Sequence, residues 1–440
     1  MDSGVRSSLV RTSPKTVGAI ADNHGVSTKK PYPVATAVWF LVAALVPLDR
    51  FLVQDASLST LIWRVVLAVL VLSFIARRFS APSFPAAWLS ALVLLPAAGF
   101  ISGHSSSVQQ SLTVAVQLAL LCALAPFVLK FYCDKARDFL PWVIGGFLIS
   151  QTVSAVVGLV QLSGAEVLGA GSIFGRSTGL AGHPNVLGLM SVLAIFASVA
   201  AWGHRGRTLR MLSVVVLAIN AGALVATGSI SSMIALVVGL VVYFSVKRQL
   251  TRVIVVGVVG TAAVWAIATA IGLGPATLLD PVSNRLDVVL GTSTTEGGAA
   301  SLGTRILTYQ WALRYIGIDP IVGVGMDPTN AGTYNGYTPV HNFILHAWYQ
   351  GGFLFFAWMV IMAVVVIVLL VRAIVRRTSP LPAALAAVIM AFAATSAFFD
   401  EQQYWFPLLL GVALLGGRKV VVKGANGVPH HRPVAHGRNT

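Results

Sequence analysis

The sequence predicts an all-α integral membrane protein of about twelve transmembrane helices, with one large extracytoplasmic loop containing an interfacial helix. Three observations lead there. Of 440 residues, 56% are hydrophobic and only 10% charged, more apolar surface than one soluble core of that length hides. Apolar runs of about 20 residues, the length that spans a hydrocarbon core, recur along the chain. Between them, Arg and Lys gather in small clusters on alternate sides, as orientation signals do.

The runs lie near 34–53, 57–76, 83–102, 111–131, 139–162, 184–203, 208–226, 229–246, 251–272, 350–372, 381–398 and 404–416. Before them, residues 1–33 form a polar, basic segment with no apolar stretch of the kind a cleaved signal carries, and are read as a cytosolic tail. Residues 34–416 form the membrane domain, with the long loop at about 273–340. Residues 417–440 form a second basic cytosolic tail, whose His430 and His431 are read as solvated.

With both termini cytosolic, 24 of the 30 basic residues fall on the cytosolic side, an alternation that one miscounted span would spoil. The formal charge of +16 therefore reads as topology in a bilayer and not as a nucleic-acid surface, which would concentrate its charge on one face. Cys122 and Cys133 lack a disulfide framework or a CxxC metal spacing and are read as reduced.

The six remaining arginines oppose the topogenic bias, so something else retains them. Arg50, Arg176, Arg285, Arg305 and Arg314 fall on the outer side, and Arg64 lies inside the second span. Arg285 has Asp280 and Asp287 nearby for a surface ion pair. Arg64 either snorkels to the outer interface or pairs with Asp49 or Asp55.

Three outer segments concentrate the polar chemistry. Arg176 to Asn185 is a glycine-rich loop with His183-Pro184-Asn185 at the start of the sixth span, where exposed helix-start amides and an arginine suit an anion. In the long loop, Ile306, Tyr309, Leu313 and Ile316 fall on one stripe of an amphipathic helix over 304–316, with Arg305 and Arg314 off it. Arg305 at that helix's start would oppose the dipole, which points to an anionic partner. The third segment is Pro339-Val340-His341-Asn342, leading into a span. A neutral His341 at this mouth could take a proton from a hydroxyl, and two guanidiniums could hold a diphosphate and stabilise it as a leaving group. His346, one turn on, is read as packed. The chain has no D-x-D or E-x-D pair of the kind a metal-bridged diphosphate site uses, nor a Walker A, Rossmann, zinc or GxSxG motif.

Gly303-Thr304-Arg305, then Tyr309 to Leu313, Pro320 to Gly325, and His341-Asn342 with Leu345 and Gly352, stand in an order and spacing that resembles the O-antigen ligase and polymerase family of bacterial membrane glycosyltransferases. The Arg176-to-Asn185 segment resembles its upstream element. The resemblance implies transfer of a glycan from a polyprenyl-diphosphate carrier to a lipid or glycan acceptor hydroxyl at the outer face of the cytoplasmic membrane, with inversion and with neither metal nor cofactor. It implies that His341 activates the acceptor and that Arg305 and Arg176 bind diphosphate, with Asn342, His183, Asn185, Arg64 and Arg50 as further substrate contacts. Two positions depart from the pattern: Gln350 where an acidic residue is common, and Thr227 to Ser232 where Ser-Arg is common. A ligase attaching a finished glycan is favoured over a polymerase joining repeat units. The rival from another class, a solute or anion transporter, would place charges near the bilayer midplane and often repeat its halves, and no such repeat is present.

Overall fold

The computed structural model describes residues 29–48, 56–201, 206–270, 280, 282–283, 296–327, 330–397 and 404–415. Arg50, Arg285, the terminal basic segments before Lys29 and after Leu415, and the acidic residues Asp49, Asp55 and Asp287 lie outside them.

Among the described residues the chain is helical, with isolated backbone bridges in place of strands. In chain order the helices are α1 (Pro33–Leu45), α2 (Ala56–Ile75), α3 (Pro85–Leu89), α4 (Ala91–Gly103), α5 (Val108–Lys135), α6 (Phe139–Val160), α7 (Pro184–Ala201), α8 (Arg207–Ala226), α9 (Ile230–Lys247), α10 (Thr251–Ala270), α11 (Glu296–Ile318), α12 (Phe343–Arg376), α13 (Pro380–Ala393) and α14 (Trp405–Leu415). By length and composition, six segments among the described residues could cross a membrane: α3 with α4, α5, α6 with its 3-10 extension to Ser163, α8, α9 and α12. Shorter apolar helices stand where most of the other expected spans fall.

The ends follow from local chemistry. Ser107 and Ser229 cap α5 and α9 by accepting from the backbone N–H groups of Gln110 and Ser232. Arg248 and Arg377 close α9 and α12 in the left-handed conformation. Helix α5 runs through the centre, with Leu118, Cys122 and Val128 buried. Its packing on α4 is close because Gly99 carries no side chain: a Cβ there would collide with Ala115. Trp39 stacks on Phe406 at 5.7 Å, and Trp358 lies 6.0 Å from Trp405, joining α1, α12 and α14 in one core. Cys122 and Cys133 are free thiols.

Helix α12 begins seven residues before the span expected from the apolar run and is broken at Gly352 (φ 64, ψ −163). A break inside an apolar helix frees backbone groups that lipid cannot satisfy, so protein must supply partners. The preceding loop does so. Val324 N–H donates to the Tyr349 carbonyl at 2.9 Å, Gly325 N–H to Gln350 at 2.9 Å, and Phe353 N–H to the Ile321 carbonyl at 3.1 Å. The Pro320-Ile321-Val322-Gly323-Val324-Gly325 motif is thus a docking strip for a broken helix. Trp348 Nε1 donates to Pro320 at 2.8 Å and Tyr315 hydroxyl to Gly323 at 3.2 Å, which pins the strip from both sides.

Candidate functional site

Asn342 sets the geometry at the mouth of α12. Its Oδ1 accepts from the backbone N–H groups of Ile344 and Leu345 at 3.2 and 3.0 Å, and its Nδ2 donates to the Ala394 carbonyl at 3.1 Å. Both ends of the amide therefore serve the protein, capping α12 and tying it to the end of α13. His341, one residue earlier, is held through its backbone: the Tyr309 hydroxyl donates to its carbonyl at 2.8 Å.

Helix α11 meets this mouth with a face that overlaps the apolar stripe only in part. Thr308, Ala312 and Ile316 are buried, with Tyr309 and Tyr315 half-buried against Val340 and Tyr349. Ile306 and Leu313, the other two residues of the stripe, are 48% and 57% exposed. Turning the helix this way puts Arg305, one turn before Thr308 and Tyr309, on the side of His341. Arg305 also lies in the third turn of a helix that begins at Glu296 and not at its start, so the dipole argument does not apply to it. What marks it is partial burial. Desolvation lowers its pKa, and among the described residues no carboxylate pairs with it, so its donors are open to an anion.

The His341 imidazole feels the same surroundings. Burial, then the Arg305 and His346 charges, push its pKa down to about 4, against a smaller opposing pull from the backbone of Pro339. The ring is therefore neutral at physiological pH. The fold stabilises the neutral form, so the stability it contributes is complete above the ordinary value of 6.5 and is lost as pH falls towards about 4. His346 is fully buried, as expected.

A second cluster gathers around Arg176. Its Nε donates to the Thr227 carbonyl at 2.7 Å and one terminal nitrogen to Asn185 Oδ1 at 3.0 Å. Ser229 hydroxyl donates to the same Oδ1 at 3.1 Å, and Asn185 N–H donates to His183 Nδ1 at 3.1 Å. The loop is fastened from below by a residue that sequence reasoning missed. Gln161, at the end of α6, accepts from the N–H groups of Thr178 and Gly179 at 2.8 and 2.9 Å and donates to Ala170 at 3.0 Å. Arg176, His183 and Asn185 are thus brought together with the Thr227–Ser232 segment, at the starts of α7 and α9. Helix α9 packs on both α7 and α12. Arg64 is exposed on α2.

Asp327 was also missed. It is buried at the end of the docking strip, where Gln350 donates to its carbonyl at 3.4 Å. In the orientation that satisfies both groups, the Gln110 amide donates to its carboxylate. A rare acidic residue directly after the glycine motif was the available signal.

Tyr309 offers a direct check of how His341 is held. Tyr309→Phe removes one hydrogen bond and no packing, so it is expected to cost about 1 kcal/mol of stability and to lower turnover several-fold with little change in KM. Thermal denaturation and steady-state kinetics on the purified variant read both.

Compared with known families, residues 214–358 match the family model described as O-antigen ligase. The match runs from within α8 through α9, α10 and α11 to the first part of α12, so it contains Arg305, His341 and the docking strip and stops short of Arg176. No curated protein matches the chain.

Proposed function

We propose that this chain, which belongs to the O-antigen ligase family, transfers a glycan from a polyprenyl-diphosphate carrier to an acceptor hydroxyl at the outer face of the cytoplasmic membrane. The observation that carries the reading is the pairing of a neutral, half-buried His341 with Arg305, which no carboxylate among the described residues neutralises.

Each group takes one part of the reaction. His341 accepts the proton of the acceptor hydroxyl as its oxygen bonds to the anomeric carbon. The bond from that carbon to the diphosphate oxygen breaks, and the electron pair leaves on the diphosphate. Arg305 stabilises this charge as it develops, in surroundings dry enough to make the interaction strong. Attack on the face opposite the departing diphosphate inverts the anomeric centre. Arg176, with two of its donors already engaged on Thr227 and Asn185, holds a rigid guanidinium that serves as a second diphosphate contact. Asn342 and Asn185 act by positioning. His341 and Arg305 also suit each other in time: anionic diphosphate on Arg305 removes the repulsion that depresses the imidazole pKa, so donor binding makes His341 a better base.

This coupling has a measurable sign. Arg305 lowers the His341 pKa, so Arg305→Gln should move the acidic limb of the kcat/KM profile upward from about 4, while transfer falls by about 10²–10³-fold. An acidic limb unchanged in the variant would mean that Arg305 and His341 do not interact.

The functional test is a deletion strain complemented with wild type, with surface glycans analysed for length and attachment. Finished polymer stranded on its carrier in the deletion strain identifies a ligase. Single repeat units on an otherwise normal acceptor identify a polymerase, which would run the same chemistry. Unchanged surface glycans would overturn the reading.

A further inference from the structure

The end of α6 away from the Arg176 loop borders a cavity that the proposed glycosyl transfer does not use. Helix α6 spans 22 residues, about 33 Å, from Gln161, which fastens the Arg176 loop, back to Phe139. Beside that far end lies a cavity of about 350 Å³, lined by the aromatic rings of Tyr32, Phe40 and Trp142 together with Ala37, Arg137 and Asp138.

Backbone pairing holds the two segments that flank the cavity together. Lys30 N–H donates to the Lys135 carbonyl at 3.1 Å, and Arg137 N–H donates to the Lys30 carbonyl at 3.0 Å. This short parallel bridge joins the entry to α1 with the α5–α6 turn. Lys29 Nζ adds a bond to the Cys133 carbonyl at 3.1 Å. Phe40 and Trp142 meet edge-on at 6.0 Å, and the Arg78 guanidinium sits over the Tyr32 ring at 5.4 Å.

Charge and polarity identify the occupant. The segments 29–30, 77–78 and 130–138 hold seven basic residues against two acidic ones. Asp134 is paired with Lys130 at 2.7 Å, while Asp138 meets only the Nε of Arg137 at 3.3 Å in an exposed pair that leaves the rest of that guanidinium facing solvent, so these segments carry five positive charges in surplus. Trp142 and Val34 are 57% and 77% exposed beside the cavity, as aromatic and apolar groups are where helices enter a membrane interface. A soluble anion would use the charge but not the aromatic walls, and a zwitterionic lipid would not use the surplus charge.

We propose that this cavity binds the headgroup and upper chain region of an anionic phospholipid, with its phosphate on Lys30 and Arg137. The site anchors α1 to the α5–α6 turn at the membrane surface opposite the transfer site.

Native mass spectrometry of the full-length protein in detergent, titrated in parallel with phosphatidylglycerol and phosphatidylcholine, tests this. Wild type is expected to retain phosphatidylglycerol selectively. Two variants separate a site from general attraction: Lys30→Gln with Arg137→Gln removes charge, and Ala37→Trp fills the cavity from an exposed position while keeping every charge. Both are expected to lose about ten-fold or more in phosphatidylglycerol retention. Equal retention of the two lipids by wild type would overturn the proposal. So would full retention by Ala37→Trp, since surface charge alone would then explain binding. Gel filtration and circular dichroism of each variant exclude misfolding; if the double variant fails them, Ala37→Trp alone decides.

Discussion

His341→Ala is expected to lower glycosyl transfer by about 10²–10⁴-fold, the range that a positioned general base supplies, while leaving the fold intact. The second half of that expectation comes from how the residue is anchored. Tyr309 holds the His341 carbonyl and Asn342 caps α12; neither contact involves the imidazole. Removing the ring leaves both anchors in place and relieves the burial of a group whose protonated form the site disfavours. Purified variant and wild type, compared for transfer of lipid-linked glycan and for thermal denaturation, should therefore separate: a large loss of rate with a small change in Tm. His341→Gln sharpens the test, since it fills the space and hydrogen-bonds but cannot take the proton, and it should be as inactive as alanine. Full activity in either variant would remove His341 from the chemistry, and attention would move to Asp327, the buried carboxylate on the docking strip.

The helical class was legible because apolar length and charge alternation are properties of the chain alone. The mouth at Asn342 was legible as a loop-to-helix junction, although the apolar run placed the helix several residues late. The facing of α11 was legible only in part. The apolar stripe names Ile306 and Leu313, which are exposed, but it does not single out Thr308 and Ala312, whose small side chains allow the close approach that packs α11 on the mouth. That Arg305 and His341 belong to one site was read from the sequence; that the packed face of α11 turns one towards the other was not. Asp327 was passed over because a single carboxylate carries no spacing. Gln161 was passed over because its value lies in two backbone amides many residues away.

Gly352→Ala should be the most damaging single-atom-scale change in the matched segment. The residue sits at φ 64, ψ −163, a conformation open almost only to glycine and costing other residues about 1–3 kcal/mol. A Cβ there would also collide with the Ile321 carbonyl, which accepts from Phe353. The strain cannot be relieved locally, because the carbonyls of Tyr349 and Gln350 are held by the same strip through Val324 and Gly325. Moving the strip releases three backbone hydrogen bonds at once, in surroundings with little water to replace them. Together these put the expected loss at about 3 kcal/mol or more. Because the strip and the first turns of α12 flank His341, the surviving folded fraction should also turn over more slowly than wild type. Gly303→Ala is the control: it lies in a helix with open space around it, so alanine there should be neutral or mildly stabilising. Equal melting temperatures for Gly352→Ala and Gly303→Ala would mean that the break in α12 is not what holds the strip, and with it the mouth, in place.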